Sequence, residues 1–217
     1  MIKVALVTGA AQGLGFVVSD ALVNDGFNVV MTDVDFEQVE AAARKLDPDL
    51  TSVLPLKLDV LHKSDFESAL QTTVEHFGAC QVLVNNAALT PTTPLMDITP
   101  EEFTQVLDVN LRGCFLGSQV FGQHFADQKF GRIINFSSLA GQMGGTASGA
   151  HYASSKAGIV TLTKIFARQF ADQGVNAIAP GPVDVPSVRD KVPADKLQHI
   201  IENMIPVKAM SLSLIHI

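Results

Sequence analysis

With 217 residues, 47% of them hydrophobic, the chain is long enough for one domain with a sizeable core. A formal net charge of −7 argues against a nucleic-acid surface, because phosphate contacts need a basic patch. Cys80 and Cys114 match no disulfide or metal spacing, no apolar run is long enough to span a bilayer, and the first strand follows Met1 at once, so a cytoplasmic protein without a signal peptide or a metal is expected.

The first element is a buried strand over residues 3–7, Lys3-Val4-Ala5-Leu6-Val7. It runs into Thr8-Gly9-Ala10-Ala11-Gln12-Gly13-Leu14-Gly15 and then a helical pattern through Val18, Ala21, Leu22 and Gly26. Strand, glycine-rich turn and helix in that order are the context for binding a dinucleotide. Glycines let the backbone approach a pyrophosphate, and the helix start offers free N–H groups and partial positive charge. The spacing is G-x-x-x-G-x-G rather than G-x-G-x-x-G, a longer turn with the same physical task. A plain strand-to-helix turn is the other reading. A second strand over residues 28–32 ends at Asp33, 20 residues past Gly13, where a ribose-binding carboxylate is expected. Such a carboxylate accepts from ribose hydroxyls and repels a 2′-phosphate. No Arg or Lys stands in the turn or directly after Asp33, so NAD is expected over NADP. Asp35 with Gln38 suits the cap of the next helix and leaves Asp33 free.

Further strands are expected at residues 53–58, 81–85, 131–136 and 175–179. Ser64-Asp65-Phe66-Glu67 reads as a capping box, and Thr99-Pro100-Glu101-Glu102 as a helix start with proline in first position. Alternating buried strands and helices predict an α/β fold: a doubly wound parallel sheet of order 3-2-1-4-5-6 in a single domain over residues 1–210. Ligands of such sheets bind at the carboxyl ends of the strands, where residues 9–15, Asn86, Ser138 and residues 180–185 converge. Tyr152 is the only tyrosine, and Lys156 follows it four residues later, on the same helix face. A nearby ammonium lowers a phenol pKa from about 10, which makes a tyrosine usable as acid or base. A surface pair has the same spacing. Ser138 alone also reads as a turn cap, and Asn110 alone as a helix-interior polar residue.

Taken together these residues resemble a short-chain dehydrogenase/reductase of the Rossmann-fold, Tyr-x-x-x-Lys type, from about residue 3 to about residue 210. The family's glycine turn matches Thr8 to Gly15, and its adenine-side acid matches Asp59 in Leu58-Asp59-Val60. Its Asn-Asn-Ala-Gly signature is similar to Asn85-Asn86-Ala87-Ala88, with alanine in the last place. Its helix asparagine matches Asn110, its serine Ser138, its tyrosine and lysine Tyr152 and Lys156, and its Pro-Gly turn Pro180-Gly181-Pro182-Val183. The resemblance implies an NAD(P)-dependent oxidoreductase that interconverts a secondary alcohol and a ketone. Tyr152 would be the acid–base group, and Ser138 would hydrogen-bond the substrate oxygen. Lys156 would hold the nicotinamide ribose and depress the Tyr152 pKa together with the oxidised nicotinamide, and Asn110 would support a proton path through water. It implies cofactor contacts at Gly9, Gln12, Gly13, Leu14, Gly15, Asp33, Asp59, Val60, Asn86, Ala87, Tyr152, Lys156, Pro182 and Val183. The implied partners are a small alcohol or ketone and a second copy of the chain, as a homodimer or homotetramer.

The chain departs from the family pattern in three places. Gly174-Val175-Asn176 is two residues shorter than the family's approach to the sixth strand, which predicts a tight connection or a shifted register. Val185 replaces a threonine that contacts the nicotinamide amide. The family's last helix and seventh strand have no counterpart. Residues 212–217 match one frame of a library adapter, so residues 211–217 read as an artefactual tail and the sixth strand as an open edge. The substrate pocket is expected from residues 89–96, residues 139–145, His151 and the loop 182–204, with Leu95, Met96, Met143 and Val185 apolar and His151 and Gln142 reading a polar substituent. A 3-oxoacyl thioester reductase, a polyol dehydrogenase and a hydroxysteroid dehydrogenase all fit. A nucleotide-binding sensor or fragment without turnover is the alternative.

Overall fold

The structure, a computed structural model, describes residues 3–145, 149–184, 194–204 and 210–212. Six strands form one parallel sheet: β1 (Lys3–Thr8), β2 (Phe27–Asp33), β3 (Val53–Lys57), β4 (Val82–Asn85), β5 (Arg132–Phe136) and β6 (Val175–Ile178). Their order is β3-β2-β1-β4-β5-β6, as the alternating pattern predicts. Side chains alternate across the sheet, so each strand serves two cores. Val4, Leu6, Val30, Leu83 and Ile133 face one core, with Phe66 of α3 (Lys63–Phe77), Phe121 and Phe125 of α5 (Gly113–Asp127) and Phe166 of α7 (Ala150–Gln169). Val7, Val29, Met31, Val84 and Phe136 face the other, against α1 (Gly13–Asn24) and α2 (Phe36–Leu46). The remaining helices are α4 (Pro100–Leu107), α6 (Ala140–Met143) and α8 (Ala194–Met204).

Two expected caps form. The Asp35 carboxylate accepts the Gln38 N–H at 3.1 Å, and the Thr99 hydroxyl accepts the Glu102 N–H at 3.2 Å. The capping box at Ser64 does not form. α3 starts at Lys63, so Ser64 already lies inside the first turn, and no side chain caps its His62 N-cap. Asp65 instead turns back and accepts the Asp59 N–H at 3.0 Å, which fixes the loop after β3.

The short connection into β6 keeps a regular register, Ile133↔Val175 to Phe136↔Ile178, so the expected shift is absent. Tightness is absorbed at Gly174, whose φ of +72° suits glycine, and Arg132 donates to the Gln173 carbonyl at 2.7 Å across the turn. Beyond β6, β7 (Val183–Asp184) pairs in parallel with β8 (Ser211–Leu212) as a small second sheet. The loop containing Val185 and residues 213–217 lie outside the described residues. Among the described residues no helix is long and apolar enough to cross a membrane.

Candidate active site

The glycine turn is built by close backbone approach. Gly9 and Gly13 stand at φ +64° and +59°, which glycine adopts without strain. A Cβ on Gly15 would lie 2.2 Å from the Gly9 carbonyl oxygen, and one on Gly9 would lie 2.7 Å from Ala87 Cα. The Gln12 side chain makes no cap bond, so among the described residues the first N–H groups of α1 keep no side-chain partner. This donor set fits a pyrophosphate: open N–H groups at a helix start, on a turn whose glycines let the backbone come close. Gly13 and Leu14 are half-buried there, and Gln12 is exposed.

Asp33 ends β2 beside this turn. Its carboxylate accepts the Ala11 N–H and the Asp35 N–H, each at 3.3 Å, and the residue stays partly exposed. Asp59 accepts the Leu61 N–H at 2.9 Å and stands 3.8 Å from the His62 ring. Val60 packs tightly against Gly113, where a Cβ would lie 2.9 Å from the Val60 Cβ. Asn86 ties the turn to β4: its amide donates to the carbonyls of Thr8 at 2.9 Å and Gly9 at 3.0 Å.

Thr8 escaped the sequence reading as a site residue. Its buried hydroxyl accepts the N–H groups of Asn86 at 3.0 Å and Ala87 at 3.1 Å, and so binds the two strand ends together. A polar residue ending an otherwise apolar strand was the available signal. Thr8→Val is expected to strand both donors and cost about 2–4 kcal/mol, read as a lower urea midpoint. An unchanged midpoint would show that the hydroxyl is dispensable.

The second half of the site comes from β5 and α7. The Ser138 hydroxyl accepts the Ala140 N–H at 3.1 Å and lies near enough to the Tyr152 phenol to favour its ionised form. Lys156 is 3% exposed, and its Nζ donates to the Phe136 carbonyl at 2.6 Å while standing 5.7 Å from the centre of the Tyr152 ring. Spacing on one helix face thus does bring phenol and ammonium together. The expected depression of the Tyr152 pKa does not hold for the free chain. Burial pushes the phenol up, and the nearby Ser138 hydroxyl offsets only part of this. Burial likewise pushes the Lys156 ammonium down to about 8. In the absence of ligand, desolvation outweighs a cation whose hydrogen bond points to the backbone.

Asn110 is 2% exposed and lies in a π turn, Asp108–Arg112, between α4 and α5. Its Oδ1 accepts the Leu89 N–H at 2.7 Å, and its Nδ2 donates to the Leu89 carbonyl at 3.0 Å and to Ser155 Oγ at 3.1 Å. It therefore clamps the loop after β4 onto α7. Ser155 is a second residue the sequence reading did not single out. Pro182 is half-buried and Val183 is 7% exposed, both just past the Leu139 N–H bond to the Pro180 carbonyl.

Two expectations about the pocket separate. Leu95, Met96 and Met143 are exposed, at 68%, 90% and 64%. His151 is 0% exposed and turned toward α4, where its ring stacks on Phe103 at 6.4 Å. It does not line a substrate pocket: adjacent helical residues project about 100° apart, so Tyr152 and His151 face different neighbours. An open groove of about 440 Å³ along α4, lined by Leu61, Thr104, Asp108 and neighbours, contains none of the site residues.

The family model described as short chain dehydrogenase matches residues 3–196. A diacetyl reductase, (S)-acetoin forming, of Staphylococcus aureus is 43% identical over 189 residues, 85% of this chain and 72% of its own. A galactitol 2-dehydrogenase of Agrobacterium fabrum is 37% identical over 185 residues, 84% of this chain and 71% of its own. A 3-oxoacyl-acyl-carrier-protein reductase of Synechocystis is 36% identical over 185 residues, 82% and 73% of the two chains. With the sheet order, the glycine turn and the Ser138, Tyr152 and Lys156 cluster inside the matched span, the chain belongs to the short-chain dehydrogenase family, oxidoreductases that act on CH–OH groups with NAD or NADP.

Proposed function

We propose that this enzyme interconverts a secondary alcohol and a ketone with NAD(H), and that Tyr152 is its acid–base group. The observation that carries the reading is that two groups meet at Tyr152: the Ser138 hydroxyl, near enough to favour its ionised form, and the buried Lys156 ammonium, 5.7 Å from the centre of its ring. When bound, the nicotinamide would supply or accept the hydride. Tyr152 moves the proton at the substrate oxygen, and Ser138 donates to that oxygen as charge develops. Lys156 turns its ammonium toward the nicotinamide ribose and the phenol, and with an oxidised ring alongside, the phenol pKa falls. Asn110 fixes the wall of the site at Leu89 and supports the proton path from there. Gly9, Gln12, Gly13, Leu14 and Gly15 take the pyrophosphate, Asp33 the adenosine ribose, and Asp59 and Val60 the adenine side. Asn86 and Ala87 line the nicotinamide half with Pro182 and Val183. Residues 1–210 act as one domain, in the cytoplasm and as a homodimer or homotetramer.

Relatives named for diacetyl, galactitol and a 3-oxoacyl thioester share one reacting group, a carbonyl or its alcohol on a short flexible chain. The exposed Leu95, Met96 and Met143 favour a substrate with an apolar flank. Turnover across diacetyl, acetoin, galactitol and a short 3-oxoacyl thioester, with NADH or NAD as appropriate, tests this. Nucleotide binding without turnover of any of them would favour the sensor reading.

Asp33 gives the cofactor prediction. Its carboxylate stands at the ribose end of β2 and repels a 2′-phosphate. Asp33→Asn keeps an acceptor for the Ala11 N–H and removes the charge. The ratio of kcat/KM for NADH over NADPH is expected to fall at least about tenfold, about 1.4 kcal/mol. Equal wild-type use of NADPH would overturn the assignment.

A further inference from the structure

Tyr152 is held by more than its own helix. α7 starts after Gly149, an N-cap with no side chain to offer. The N–H groups of a first helical turn have no partner within the helix. Here the Tyr152 N–H donates to Nδ1 of His151, at 2.9 Å. The histidine ring thus performs the task that a Ser or Asp N-cap performs elsewhere. An accepting Nδ1 places the ring proton on Nε2.

That Nε2 is fully buried and points at one group. Glu102 Oε1 of α4 lies 3.3 Å away, too poorly aligned for a good hydrogen bond, and among the described residues no other partner is in reach. The Thr93 hydroxyl donates to the same Oε1 at 2.6 Å. Thr93 belongs to the loop after β4, and Pro91 of that loop accepts the Gly149 N–H at 3.3 Å. The loop, α4 and the first turn of α7 therefore meet on one imidazole. Gly149 leaves it room: a Cβ there would stand 2.3 Å from the ring.

We infer that His151 is a positioning residue for Tyr152, and that Thr93, Glu102 and His151 act as a relay that sets where the phenol meets Ser138. This rests on the reading of Tyr152 as the acid–base group. A plain helix cap would affect stability alone. A positioning residue acts on kcat and on the phenol itself.

The test uses the full 217-residue chain, which has one tyrosine and no tryptophan, so ultraviolet titration of phenol ionisation reports on Tyr152 alone. His151→Asn places an amide oxygen near the Nδ1 position and keeps the acceptor. His151→Gln reaches toward Glu102 but loses that acceptor, and His151→Leu loses both. Wild type and His151→Asn are expected to titrate alike, above the free value of about 10. His151→Gln and His151→Leu are expected to titrate closer to it, because a released phenol regains water. With diacetyl as the probe substrate, their kcat is expected to fall about tenfold or more, with KM for NADH within about twofold. Unchanged titration and kcat in both would overturn the inference, as would a change confined to KM. Should those two variants not fold, Thr93→Val, which removes only the hydroxyl on Glu102, is expected to move the titration in the same direction, and no movement would overturn the relay. Tyr152→Phe separates the two readings. Turnover surviving in Tyr152→Phe sinks the acid–base assignment itself, whereas turnover lost there but intact in His151→Leu sinks only the relay.

Discussion

Tyr152→Phe is expected to lower turnover by roughly 10³ while leaving the Kd for NADH within about twofold of wild type. The change deletes one oxygen and nothing else. That oxygen is influenced by the Ser138 hydroxyl in the free protein, and a buried ammonium lies 5.7 Å from the centre of its ring. A proton must reach or leave the substrate oxygen as the hydride moves, and the phenol is the group placed to carry it. Ser138 alone retains a donor for that oxygen, so some residual rate is expected rather than none. Because the interaction matters chiefly in the transition state, the loss belongs in kcat rather than in cofactor affinity. Steady-state rates and a fluorescence titration with NADH on the same preparation check both halves. A variant that keeps more than about a tenth of wild-type kcat would remove Tyr152 from the chemistry.

Much of this architecture is legible in the sequence for a simple reason. Parallel strands buried on both faces leave apolar runs such as Val4 to Val7 and Val29 to Met31, and glycines punctuate where the backbone must come close. Asp35 and Thr99 then mark helix starts because a short polar side chain beside a first turn has one good use. Ser64 fails the same logic. The Ser-x-x-Glu pattern is present, but the helix begins before it, and the Asp65 carboxylate finds a better donor across the loop at Asp59. Local pattern cannot show a competitor supplied by another segment.

The site divides in the same way. Spacing places Tyr152 and Lys156 on one face. It cannot show that Nζ turns to the Phe136 carbonyl, nor that burial takes the phenol upward. His151 is the sharper case. Its place beside Tyr152 makes it look like a pocket residue, yet its surroundings are set by α4 and the loop after β4, both far away in the chain. Asn110, unremarkable as one helical residue, proves to be the clamp between Leu89 and Ser155.

Lys156→Met is expected to abolish most turnover and yet leave the unliganded fold at least as stable as wild type near neutral pH. Burial lowers the Lys156 pKa from 10.5 to about 8. Between those two pH values the unfolded chain binds the proton and the folded chain does not. Folding stability therefore rises with pH across that window, and the penalty for burying the charge is fully present below about pH 8. Its size is about 3 kcal/mol. Methionine removes the charge but leaves the Phe136 carbonyl without its donor, a loss of about 1–3 kcal/mol. The two effects nearly cancel near neutrality. As the pH rises through the window, wild type should gain on Lys156→Met, because the wild-type penalty disappears and the lost hydrogen bond does not return. Urea unfolding of both proteins at about pH 7 and about pH 10, without nucleotide, measures the change. Tyr152 is common to both and cancels in the difference. Saturating NAD should reverse the order near neutral pH, since it stabilises the chain that retains an ammonium for the ribose and the phenol. A stability gap independent of pH would mean that Lys156 carries no desolvation penalty. A gap unchanged by NAD would mean that its charge is not kept for the cofactor. If both effects appear, the buried ammonium is a destabilised group held in place for the reaction, and its removal trades function for fold.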